Sequence, residues 1–239
     1  MFESLRTFPS EIAHGVAASM QKRVQKFLDT PWWERFVLLV RALIGKDHVV
    51  QKVGELMIAV EGGDVPVSVF LELYPTSKDT WVEGGEFVWG TERGKDYPRI
   101  TISIRVNLHQ NLPRTLRKEI VPILYHEVSH AQTILKKWGT KAIGSKQEKE
   151  WKKSWADTVS RIEAAPWTKN PAEIAATAGM LVHLAREKGT DPIKLLNLII
   201  KRGWEAAGTG RAFPTTFNAA VLDDPQYAKA LTAEIRRLK

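Results

Sequence analysis

The spacing of apolar residues divides the chain into three stretches. From Glu11 to Leu28 and from Pro31 to Ile44, apolar positions recur at helical spacing, with Pro31 opening the second segment and Gly45 stopping it. After Lys52 the period shortens to two. GELMIAVEGGDVPVSVFLELYP holds two β-prone runs around Gly62-Gly63, and TWVEGGEFVWG repeats the device around Gly84-Gly85, so each glycine pair predicts a tight hairpin. In RITISIRVNL, Ile100, Ile102, Ile104, Val106 and Leu108 point one way and Thr101, Ser103, Arg105 and Asn107 the other, which predicts a strand.

Helical spacing returns from Asn111 to Gly139, the expected stop, with Pro122 marking either a kink or the first turn of a new helix. Three further helices are predicted near Lys146 to Ile162, Pro171 to Lys188 and Asp191 to Lys201. A glycine-containing stretch from Gly203 then precedes a last helix near Asp224 to Leu238. The order predicts an α+β fold: a small, mostly antiparallel sheet packed on the helix around His126, with helical additions at both ends. The expected divisions are an N-terminal helical segment, 1–50, a central unit, 51–202, and a loop with a C-terminal helix packed on it, 203–239.

Composition narrows the chemistry. A chain of 239 residues can bury a full core. No segment reaches the roughly 18 uninterrupted apolar residues of a membrane span, and FVLLVRALIG carries Arg41 and reads as a buried helix. The first residues lack the basic and apolar regions of a secretory signal, so a cytoplasmic protein without a membrane partner is expected. The absence of cysteine leaves His, Asp and Glu as metal ligands.

A net charge of +8 suits either acidic partners or a solvated basic surface. Lys136 to Trp155 has seven lysines against two glutamates, with Trp138, Trp151 and Trp155 among them. Such a run can contact nucleic-acid phosphates weakly, but on a helix Trp151 and Trp155 face the core and leave the lysines in water.

LYHEVSHAQ is the most informative stretch. On a helix, His126 and His130 lie one turn apart on one face and can share a metal ion. Glu127 projects about 100° away from His126, so it can face a metal-bound water without being a ligand. Hydrolysis by zinc needs a third protein ligand and an open position for that water. Ile120, Ile123, Leu124, Val128, Ala131 and Leu135 supply an apolar face for burying the helix. His183 falls about 80° from the direction of Glu173 on a continuous helix, at the margin of such a site, and is a candidate oxyanion stabiliser. Tyr125, Arg211 and Tyr227 are weaker candidates.

LYHEVSHA, preceded by a short sheet and followed by NPAEIAA, resembles the zincin metallopeptidases, and among them the gluzincins. The likeness covers about half the chain. It implies His126 and His130 as zinc ligands, Glu127 as general base, and Glu173, in the phrase formed by Asn170, Pro171, Glu173 and Ala176, as third ligand. Glu150 and Glu163 also lie downstream and compete for that position. Glu173 has Ala172, Ala175, Ala176 and Ala178 around it, small residues that permit close helix packing.

The expected function is zinc-dependent hydrolysis of a protein or peptide. The likeness further implies an extended substrate on an edge strand beside the metal, a place that RITISIRVNL takes only if it is not central. The alternative is a basic protein that binds nucleic acid or a protein partner on an inactive or nucleic-acid-located scaffold of this kind.

Overall fold

The computed structural model describes residues 22–60, 63–92, 95–113, 116–138, 171–203 and 224–238. Residues 22–28 are helical and bury Val24, Phe27 and Leu28. Helix α1 (Trp32–Ala42) has Pro31 as its N-cap and buries Trp32, Phe36 and Leu39, the i, i+4, i+7 spacing of a single apolar stripe. Beyond it, Gly45 has φ +74°, a backbone that side chains other than glycine rarely adopt. Arg35 Nη1 donates to the Val53 carbonyl at 2.7 Å and ties α1 to the sheet.

The strands are β1 (Val49–Val60), β2 (Gly63–Pro75), β3 (Trp81–Glu92) and β4 (Lys95–Val106), in the spatial order β1-β2-β4-β3. The sheet is mixed. The two outer pairs, β1/β2 and β3/β4, are antiparallel, and the central β2/β4 pair is parallel. This follows from chain direction: β3 runs opposite to β2 but lies beyond β4, and β4, reversing again, slots in beside β2. Asn107 secures the β2 to β3 connection, its N–H donating to Thr80 Oγ1 and its Nδ2 to the Lys78 carbonyl, each at 2.9 Å.

Gly62 lies outside the described residues, but the first hairpin falls where the sequence predicts, since Val60 pairs with Gly63 at the end of β1/β2. The second does not. Gly84 and Gly85 lie within β3, and the hairpin closes instead at Glu92 and Lys95. The register shifts between Val82 and Gly84, so the pair follows a β-bulge instead of making a turn. RITISIRVNL also finds a definite place: its strand residues lie on β4, between β2 and β3, so it offers no free edge to a partner.

Val67, Val69, Leu71 and Leu73 on β2 and Ile100, Ile102 and Ile104 on β4 bury one sheet face. Helix α1 packs on β1 and β2, and α2 (Leu116–Trp138) packs on β1, β3 and β4. The opposite face carries Glu72, Tyr74 and Arg105; Arg105 donates to the two Glu83 carboxylate oxygens at 2.9 and 3.0 Å and lies 4.5 Å from the centre of the Tyr74 ring.

A second core joins α3 (Pro171–Glu187), α4 (Pro192–Arg202) and α5 (Pro225–Leu238) through Met180, Leu181, Leu195, Leu196, Tyr227, Leu231 and Ile235. Asp191 caps α4 by accepting from the N–H groups of Ile193 and Lys194 at 2.8 and 3.1 Å. No helix among the described residues is long and apolar enough to cross a membrane. The expected helix from Lys146 to Ile162 and most of the lysine-rich run, together with Glu150, Glu163 and Arg211, lie outside the described residues.

Candidate metal centre

The site is built where α2 crosses α3. Pro122 lies inside a single α2 and opens no new helix, so the whole apolar stripe of Leu116, Ile120, Leu124, Val128 and Leu135 anchors one rod. That rod holds His126 and His130 one turn apart. Helix α3 lies against it closely at a residue without a side chain: a Cβ on Gly179 would come within 3.2 Å of Ser129 Oγ. Ser129 itself donates to the Tyr125 carbonyl at 2.9 Å, which keeps its hydroxyl on α2.

The close crossing brings Glu173, in the first turn of α3, onto both histidines. Glu173 Oε2 lies 3.2 Å from His126 Nε2, and Oε1 lies 3.4 Å from His130 Nε2. The two Nε2 atoms are 3.0 Å apart. One potential ligand atom from each residue therefore falls within 4.8 Å of the other two. A tetrahedral ion bound at about 2.0–2.1 Å would hold its ligands about 3.3 Å from one another. The two Nε2 atoms, 3.0 Å apart, and the 3.2 and 3.4 Å spacings that the two different Glu173 oxygens make to them are close to that figure, so the two imidazoles and the carboxylate surround a space of the size one small ion needs.

Glu127 is only 5% exposed and stands outside this group of three. Burial raises its pKa; the neighbouring histidines act the other way, and the charges of Glu173 and Glu86 add to the rise. Burial would also raise Glu173, but hydrogen bonds from His126 and His130 outweigh it and hold the carboxyl well below its ordinary range. For His130, burial disfavours the charged form, yet the hydrogen bond to Glu173 and the charges of Glu127 and Glu173 prevail and raise its pKa.

A contribution to this site comes from β3. A Cβ built on Gly85 would lie 2.7 Å from Ile123 Cγ2, 2.8 Å from Glu127 Cγ and 3.1 Å from Glu127 Oε1. Glycine is thus required for β3 to approach Glu127. In the sequence, the Gly84-Gly85 pair carries that signal, but it is indistinguishable from a turn signal until the register is known.

The remaining candidates lie elsewhere. His183, ten residues after Glu173, is about 15 Å farther along α3. Its ring stacks on Tyr125 with centroids 3.4 Å apart and planes inclined by 24°. Its Nε2 lies 3.4 Å from Glu187 Oε1, close enough to hold that carboxyl below its ordinary range, and among the described residues neither ring nitrogen has a well-aligned hydrogen bond. Tyr227 belongs to the second core, and its hydroxyl donates to Thr177 Oγ1 at 3.5 Å.

Comparison of the chain with protein-family models, curated proteins and solved structures gives no match.

Proposed function

We propose that the chain is a zinc-dependent metallopeptidase of the gluzincin type. The observation that supports this reading best is the division of labour around α2: His126, His130 and Glu173 converge on one point, while Glu127 is buried beside them and is not part of the trio. A purely structural ion needs ligands, but it has no use for a costly buried carboxylate next to them. The same consideration disfavours an inactive binding scaffold.

His126, His130 and Glu173 would hold the ion. When bound, zinc lowers the pKa of water in its open position and polarises a carbonyl oxygen. Glu127 takes the water proton on a carboxylate oxygen and delivers it to the departing amine, and burial favours this exchange by raising its basicity. Because β3 is an edge strand among the described residues and Gly85 abuts Glu127, an extended peptide pairing with the outer side of β3 would pass its backbone alongside the base. Recognition would then rest largely on main-chain hydrogen bonds.

Elemental analysis of purified protein, combined with cleavage of a mixed peptide library, tests the reading. About one zinc per chain is expected, with Glu127→Gln keeping the metal and losing about 10²–10⁴-fold in cleavage rate. Metal-free protein that takes up no added zinc would overturn the proposal, as would undiminished cleavage by Glu127→Gln.

A further inference from the structure

Among the described residues β3 is an edge of the sheet, and its outer side offers an incoming strand two neighbouring residues of opposite character. Gly85 pairs with Ile102 and faces α2, at the level of Glu127. Glu86 pairs with Thr101, so its side chain lies on the other sheet face. It is exposed and makes no hydrogen bond or ion pair among the described residues. Glu83, three residues earlier, is instead engaged by Arg105 at 2.9 and 3.0 Å. Among the described residues the strand therefore presents a carboxylate without a cationic partner, one residue from the position that abuts the base.

We propose that the substrate is a polypeptide with a lysine or arginine adjacent to the residue that lies against Gly85, selected by Glu86; this rests on the peptidase reading above. When a peptide extends the sheet, side chains directly opposite each other share a face with their Cβ atoms about 4.5–5.5 Å apart. A residue opposite Gly85 points towards α2 and the metal, and its neighbour, opposite Glu86, points to the other face. A long cationic side chain there can reach the carboxylate, whereas an aspartate or glutamate is repelled. Glu86 thus sets which residue occupies one subsite, while the backbone of β3 accepts the chain generally. The surplus of positive charge on the whole protein does not oppose this, since exposed charges beyond about 10 Å are largely screened at 0.1 M salt.

The test compares the zinc-loaded wild type with Glu86→Gln and Glu86→Lys. The substrates are matched peptides carrying lysine, norleucine or glutamate at each position around the cleaved bond. Each enzyme is scored by the ratio of its own kcat/KM values, so loss of fold or metal does not enter. The wild type is expected to favour lysine over norleucine by about two- to five-fold at one subsite, the range of an exposed cross-strand charge pair. The preference should vanish in Glu86→Gln and turn towards glutamate in Glu86→Lys, and 0.5 M salt should flatten it. Cleavage with no basic preference, or with a preference unmoved by both variants, overturns the role of Glu86 and leaves the peptidase standing. Absence of cleavage of every peptide by the zinc-loaded wild type overturns the peptidase reading and this inference with it.

Discussion

A methyl group added to Gly85 separates the two uses a glycine pair can have in a strand. The built Cβ meets Ile123 Cγ2 at 2.7 Å and Glu127 Cγ at 2.8 Å, whereas one on Gly84 meets nothing within 4 Å. Carbon atoms in contact normally lie about 3.5–4.0 Å apart, so about 1 Å must be recovered on two sides at once. Ile123 is β-branched, buried and unable to swing freely, while the Glu127 side chain is the softer neighbour. Strain in Gly85→Ala is therefore relieved partly by β3 moving away from α2 and partly by rotation of Glu127.

Overpacking of this kind costs about 1–3 kcal/mol, which for a chain of this size lowers the melting temperature by about 2–12 °C. A catalytic group displaced by about 1 Å costs on the order of 10²-fold in rate. Gly85→Ala is expected to show both losses while retaining zinc, because the three atoms nearest the added methyl belong to Ile123 and Glu127 and to none of the ligands. Gly84→Ala should melt and cleave like the wild type. Thermal melts, zinc content and kcat/KM on one peptide decide it: a wild-type melting temperature for Gly85→Ala, or an equal loss in Gly84→Ala, refutes the close-approach account.

Two further outcomes follow from the ligand geometry. Glu173→Ala should lower zinc affinity by at least tenfold with the helical content kept, as measured by competition with a chelator, and Glu163→Ala and Glu150→Ala should leave it unchanged; loss of metal in Glu163→Ala alone would transfer the third ligand to that residue. The second outcome concerns pH. Burial acts to lower His130, but Glu173 and Glu127 raise it above its ordinary value of 6.5, so its stabilising contribution to the metal-free protein is complete below about 6.5 and is lost as pH rises through the folded value. The metal competes with that proton, and the zinc-induced rise in melting temperature should grow between about pH 5.5 and 8; a rise that shrinks over this range contradicts the assignment.

The local chemistry was the most legible part of the chain. Positions 126 and 130 are one helical turn apart whatever the tertiary fold, and an apolar stripe predicts that the turn is buried, so the histidine pair follows from spacing alone. Glu173 required more: its distance from His130 in sequence is uninformative, and it meets the histidines only because small residues on α3 let the helices approach. The alanines around it were visible in the sequence, but Gly179 against Ser129 was not, because the partner of a small residue lies on another element. His183 illustrates the same limit in reverse. Angular position on a helix suggested the edge of the site, whereas the axial rise takes it to Tyr125.

Sheet topology was less legible for a related reason. Strict alternation in β4 identified a strand with a buried face, yet alternation is the same for a central and an edge strand, and only the pairing puts β4 beside β2. The two glycine pairs show why pairing also governs the meaning of a local signal. Gly63 ends the β1/β2 hairpin, where the chain must reverse; Gly84 and Gly85 continue a strand, where α2 leaves no room for a Cβ at the second position. Alternation does not distinguish these cases, but counting residues would have narrowed them. With the turn at Gly84-Gly85, the arm preceding it would contain only the few residues from Trp81, and the twelve-residue β4 would lack a partner of its own length. Moving the turn to Glu92 and Lys95 gives β3 twelve residues of its own and places the glycine pair opposite Ser103 and Ile102. Equal strand lengths thus carry the glycines from a loop into the sheet, and there the missing side chain of Gly85 becomes space for Ile123 and Glu127.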